Sequence, residues 1–134
     1  MPIFDFSLMA KLTLGKKYWP MLSTENKEKF AELFTQLLKR SYQEKLIRYT
    51  DEKIIFESPS QIENKIQIQT YLISKNEKIS MLYKLYKHQN DWKIYDIEIE
   101  GVSIIRSYRS QFDHILQTGT VDEFMVKLEK SVNS

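Results

Sequence analysis

Residues 92–112 read W-K-I-Y-D-I-E-I-E-G-V-S-I-I-R-S-Y-R-S-Q-F, and the fold follows from this stretch. Trp92, Ile94, Tyr95, Ile97 and Ile99 are β-branched or aromatic, which suits a pleated and largely covered surface. Gly101 breaks the strand where a residue without Cβ bends cheaply. Ser103 is placed to accept from free N–H groups of a following turn, so it is the predicted N-cap of a helix over 104–117. That helix carries Arg106, Tyr108 and Arg109 early in its length. Strand, turn and helix are thus written into twenty-one residues.

Upstream, the period of two continues. Lys65–Ser74 alternates Ile66, Ile68, Thr70 and Leu72 against Gln67, Gln69, Tyr71 and Ile73. Lys75-Asn76-Glu77 and Gln89-Asn90-Asp91 are predicted turns on either side of a strand over Ile79–His88. Lys53–Ser58, ended by Pro59, is a fourth strand. Before it, Phe30, Leu33, Phe34, Leu37, Leu38, Tyr42, Leu46 and Ile47 recur at helical spacing, with charged residues on the opposite face. A long helix is therefore expected from a cap at Ser23 or Thr24 to about Tyr49. A short helix over 5–14 precedes it, with Gly15 as its C′ residue and Tyr18-Trp19-Pro20 as an aromatic connector. Downstream, Thr120-x-x-Glu123 is a capping box opening a last helix. Helices, then a meander of about four antiparallel strands, then helices make an α+β fold with the helices on one face of a curved sheet.

The chain has 134 residues, a net charge of +2 and no cysteine, with a mean hydropathy of −0.46. This length suits one domain, residues 1–134, with a sizeable core. The balanced charge argues against a nucleic-acid partner. The missing cysteine removes disulfides, thiolate catalysis and zinc-thiolate sites together. No apolar run is long enough to span a bilayer. Met1-Pro2-Ile3-Phe4 has neither the basic region nor the apolar core of a secretory leader, which read literally predicts the cytoplasm.

Chemistry is sparse. His88 and His114 have no metal-ligand spacing to a second ligand, so no metal and no cofactor is expected. Ser103 lacks the second glycine of a nucleophile elbow, and no phosphate-binding glycine loop occurs. No catalytic residue is assigned. Asp96, Glu98 and Glu100 share a strand face, where pairing with nearby lysines or solvation is the plain reading. Asp96, mid-strand, needs donors if buried, and Arg106 or Arg109 are the predicted partners. Strand 79–88 is apolar on both parities, so either both faces are covered or the surplus apolar surface lines a cavity. The inward residues Phe34, Leu38 and Tyr42 of the long helix and Ile68, Met81, Tyr83 and Leu85 of the sheet are the candidates to line one of several hundred Å3.

The 92–112 stretch also resembles a signature of the MlaC family, roughly W-K-[VI]-Y-D-[VI]-x-[IV]-E-G-V-S-[LI]-[VI]-x-x-Y-R-x-Q-F. Phe4-Asp5-Phe6, Met9-Ala10, Leu14-Gly15 and Tyr18-Trp19 are similar to another family stretch, as are Phe30, Phe34, Leu37, Leu38, Tyr42 and Tyr49. Ile115-Leu116, Gly119 and Leu128 resemble its ending. These are periplasmic phospholipid carriers, auxiliary to an ABC transporter and also called toluene-tolerance proteins. The resemblance implies an NTF2-like fold whose apolar cavity, between helices and sheet, holds the tails of a phospholipid. Ile97, Val102, Phe112 and Leu116 then join the candidate lipid contacts. It further implies a shuttle between an outer-membrane lipoprotein complex and an inner-membrane ABC transporter with an MCE-type subunit, maintaining outer-membrane lipid asymmetry.

Family members begin with a signal peptide and further helices before the point where this chain starts. Phe4, Phe6, Tyr18 and Trp19 are therefore expected to be unusually exposed, and the chain to self-associate or to carry bound amphiphile. Not every member keeps the arginine matching Arg109, so the resemblance gives it no headgroup role. The alternatives are an NTF2-like isomerase- or dehydratase-type enzyme using Asp96 with Tyr83 or Tyr86, and a bare protein-interaction domain.

Overall fold

The computed structural model describes residues 4–48, 53–74 and 77–133, with the side chains of 42–48, 53–54 and 74 outside that description. In chain order the elements are α1 (Phe6–Tyr18), a 3-10 turn (Trp19–Met21), α2 (Thr24–Arg48), β1 (Lys53–Phe56) and β2 (Ser60–Ile62). There follow β3 (Lys65–Ser74), β4 (Glu77–His88), β5 (Asp91–Ile99), β6 (Val102–Ser103), α3 (Ile104–Thr118) and α4 (Val121–Asn133). All pairings between these strands are antiparallel, in the order β1-β3-β4-β5-β6, with β2 also on β3. The architecture is the expected α+β type, with helices against a curved open sheet. Among the described residues no helix is long and apolar enough to cross a membrane.

The sheet has six strands where about four were predicted. Pro59 accounts for one of the extra strands: without an N–H it interrupts the edge, and β1 and β2 pair with separate parts of β3 on either side of it. The other is β6. Glu100 at φ 52 and Gly101 at φ 80 turn the chain so tightly that Val102 and Ser103 pair back onto β5 before the helix begins. What looked like a break is a small hairpin. Residues 75 and 76 of one predicted turn, and Tyr49 at the predicted end of the long helix, lie outside the described residues.

The curvature has a local cause. Lys84 pairs with Asp96 but Leu85 pairs with Ile94, so Tyr95 is an extra residue in β5. Such a bulge bends the strand and resets the alternation. Ile94 and Ile97, three apart, are both buried and both belong to the core under the helices.

The helical caps follow the predicted chemistry. Ser23 Oγ accepts from the Asn26 N–H at 3.1 Å, Ser103 Oγ from the Arg106 N–H at 3.1 Å, and Thr120 Oγ1 from the Glu123 N–H at 3.1 Å. The first helix departs from prediction. Asp5 caps it, accepting from the Leu8 N–H at 3.0 Å, and the chain stays coiled to Tyr18 with Gly15 (φ 73) as a non-helical residue inside it. Only a residue without Cβ takes that conformation cheaply.

The core lies between helices and β5. Phe30 and Phe34 of α2, Tyr108 and Phe112 of α3 and Phe124 of α4 are all buried. Phe30 and Phe112 meet edge to face at 5.7 Å, Phe34 and Tyr108 at 5.5 Å, and Phe112 and Phe124 at 5.2 Å. Truncating one such buried phenylalanine to alanine typically costs about 3–5 kcal/mol.

Candidate functional site

The sheet face turned toward the helices is apolar across β3, β4 and β5 apart from Thr70. Direct cross-strand partners project to the same face. Ile68, Tyr83 and Ile97 therefore form one row, and Ile66, Leu85 and Ile94 a second. Leu85, Ile94 and Ile97 are buried, whereas Ile66, Ile68, Met81, Tyr83 and Ile99 are only partly so, packed against the core. Among the described residues the helices come nearest the sheet at β5, through α1 and α3. On β3 and β4 this face is covered unevenly: Thr70, Leu72 and Leu85 are buried, while Ile66, Ile68, Met81 and Tyr83 are half-buried. Burial pushes the Tyr83 phenol above its usual pKa.

The candidate lining residues divide into four groups. Phe34, Leu38, Leu85, Ile97, Phe112 and Leu116 are buried in one continuous core. Ile68, Met81 and Tyr83 are half-buried on the helix-facing side of the sheet. Val102 is 59% exposed at the far end of the sheet, because the Glu100-Gly101 turn carries it out to the rim. The Tyr42 side chain lies outside the described residues. A separate cleft of about 320 Å3 opens between α2, α3 and α4, floored by Phe112, Phe124 and Leu128. The Tyr108 hydroxyl donates to Ser41 Oγ there at 3.0 Å. Of the candidates only Phe112 lines this cleft, and no sheet residue does.

Asp96 is a buried and fully bonded carboxylate. It is 6% exposed, and its Oδ2 accepts from the Ser103 hydroxyl at 2.6 Å. Its Oδ1 accepts from the N–H groups of Ile97 at 2.8 Å and Ile105 at 3.2 Å. The carboxylate thus sits at the first turn of α3, where the helix dipole favours negative charge. Its expected arginine partners are elsewhere. The Lys84 ammonium lies 4.0 Å from Asp96 Oδ2 and 2.6 Å from Glu98 Oε2, so a lysine serves the acidic stripe. Arg109 instead donates Nε and Nη2 to the Leu12 carbonyl at 3.0 and 2.6 Å. Gly15 breaks the helix just after Leu12, and Arg109 supplies donors to a carbonyl of that broken turn.

The enzyme alternative lacks its dyad. Asp96 pairs with Lys84 on the sheet face opposite Tyr83. The Tyr86 hydroxyl donates to Asp5 Oδ2, and this bond, with burial and the Asp5 charge, pushes the Tyr86 pKa up to about 12. The Asp5 N–H also donates to the Ile94 carbonyl at 3.0 Å. One carboxylate therefore caps α1 and, with its own backbone, fastens the segment before it to β5. Sequence reasoning missed this role of Asp5, although an aspartate directly before a helical run is itself a cap signal. Tyr18, expected to be exposed, is buried, while Phe4, Phe6 and Trp19 are partly covered against the core.

The family described as MlaC protein matches residues 1–130. The chain is 27% identical over 139 residues to the intermembrane phospholipid transport system binding protein MlaC of Haemophilus influenzae. That match takes in 99% of this chain and 64% of the relative, so the chain spans a little under two thirds of that curated protein. Its structure is similar to that of a phospholipid-binding protein from Ralstonia solanacearum, solved in complex with a phospholipid. The TM-score is 0.91 at 21% identity, over 98% of this chain and 75% of the other. At that identity the likeness establishes the fold.

Proposed function

The chain belongs to the MlaC family, and from that premise we propose that it binds a phospholipid by its acyl chains and carries it through water. The observation that supports this is the apolar, incompletely covered face of β3 and β4 beneath the helices, with Ile66, Ile68, Met81 and Tyr83 half-buried on it. Burying a methylene is worth about 0.8 kcal/mol, so two chains of about 15 methylenes carry roughly 24 kcal/mol of exposure in water. A lipid does not cross an aqueous gap unaided at a useful rate against that. A carrier needs a dry surface for the tails and no catalytic group. The polar groups here serve that purpose: Asp96, Ser103 and Arg109 hold the helices in place around the apolar face.

The carrier is a periplasmic shuttle, taking phospholipid between an outer-membrane lipoprotein complex and an inner-membrane ABC transporter with an MCE-type subunit. Phe34, Leu38, Leu85, Ile97, Phe112 and Leu116 form the wall, and Ile68, Met81 and Tyr83 contact the tails. Native mass spectrometry of the purified chain tests this. The expected result is an adduct with the mass of a phospholipid, confirmed by extraction. A chain that stays lipid-free after incubation with phospholipid vesicles overturns it.

A further inference from the structure

We infer that the β1 edge is the portal through which an acyl chain enters and leaves the apolar face, with Phe56 as its threshold; this rests on the carrier reading above. Phe56 pairs with Thr70, Thr70 with Met81, Met81 with Ile99 and Ile99 with Val102. Directly opposed residues share a face, so these five form one rung across the whole sheet. Four strand spacings of about 4.8 Å make it about 19 Å long. An acyl chain spans half the hydrocarbon core of a bilayer, about 15 Å. Thr70 is the only polar member, and its hydroxyl donates to the Met81 carbonyl at 3.0 Å. It therefore offers its methyl group to the rung.

Exposure falls from 68% at Phe56 to 3% at Thr70, one strand inward. That step is the boundary of the covered space. Outside it, on the same face, stands the exposed ring of Phe56, while the exposed Ile55 and Ile62 of the same edge pair with Tyr71 and Lys65 and project from the other face. Both strands are short and pair only with β3, on either side of Pro59. The opposite end of the rung is built differently. Val102 is followed at once by Ser103, held by Asp96, and by the buried Ile104 and Ile105 of α3. The chain itself stands across that exit.

The test is the rate of uptake by the full chain from phosphatidylglycerol vesicles containing a phospholipid with a fluorophore on one acyl chain. Phe56→Asp, which sets a charge in the path of an apolar chain, is expected to slow loading and release about tenfold while lipid held at saturation stays within about twofold. Phe56→Leu keeps the wild-type rates. Val126→Asp, on an exposed position of α4, is the control and leaves them unchanged. Circular dichroism checks that Phe56→Asp is folded, and Phe56→Ser replaces it in the same comparison if it is not. Loading of the folded variant at the wild-type rate, or an equal slowing by Val102→Asp, overturns the portal and leaves the carrier reading standing. A wild-type chain that takes up no lipid overturns both.

Discussion

At the corner where β5 meets α3, a single carboxylate accepts from a hydroxyl and two backbone N–H groups, and the strand, the hairpin and the helix are tied to one point. At the opposite edge, β1 and β2 have one neighbouring strand and apolar side chains in water. The first arrangement is dense in directional bonds and intolerant of change. The second holds its place through a short ladder and exposes the surface a lipid would use. On the proposed carrier reading, stability and ligand access are thus assigned to different ends of one sheet. A wall that must not shift is locked by buried polar bonds, and an edge that must yield is left with few.

Substitutions at four positions break or sharpen that contrast, beginning at the corner. Asp96→Ala strands three donors and is expected to cost about 3 kcal/mol in urea unfolding. A loss below about 1 kcal/mol would remove the corner from the argument. Arg109→Met, which takes two donors from the Leu12 carbonyl, is expected to cost about 2 kcal/mol. Arg109→Lys does not restore it, because an ammonium lacks the planar fork.

Tyr86→Phe is expected to cost about 1 kcal/mol at neutral pH, and its effect carries a pH signature. The Asp5 hydrogen bond, followed by burial and the Asp5 charge, raises the Tyr86 pKa from 10.0 to about 12. A raised pKa means the folded state favours the protonated phenol, so the contribution is complete below pH 10 and disappears as pH climbs toward 12. Unfolding midpoints of the two proteins, followed from neutral pH upward, are expected to converge across that window. A constant gap would show that Tyr86 acts through packing alone. The smallest effect belongs to the edge: Phe56→Ser is expected to shift stability by no more than about 0.5 kcal/mol. A loss above about 2 kcal/mol would show that the edge is covered in solution, and the contrast would fail.

Much of this was legible in residue order. The apolar spacing of α2, the alternation of β3 and the caps at Ser23, Ser103 and Thr120 each depend on neighbours within a few positions, and each is found where expected. The apolar character of the candidate site was legible too, since Ile68, Met81 and Tyr83 fall on one parity of their strands. Other features were not. The bulge at Tyr95 arises from how β5 registers against β4, and no property of Tyr95 itself announces it. Val102 reads as a core residue by type but sits on the rim because two left-handed residues turn the chain just before it.

Sequence alone determined the four helices, four of the six strands, the helix-facing apolar rows and the likeness to a lipid-carrying family, because local propensity and periodicity act over a few residues. Tertiary structure decided which charges meet. Asp96 was matched to arginines by sign, but Ser103 and two N–H groups reach it first, and Lys84 stands nearer than either arginine on the same face. Arg109 instead reaches the Leu12 carbonyl, ninety-seven residues away. Charge complementarity restricts partners only by sign, and a polar group cut off from water bonds to whatever the fold brings within about 3 Å. That distance is set by the packing of helices on the sheet, which no stretch of the chain carries by itself.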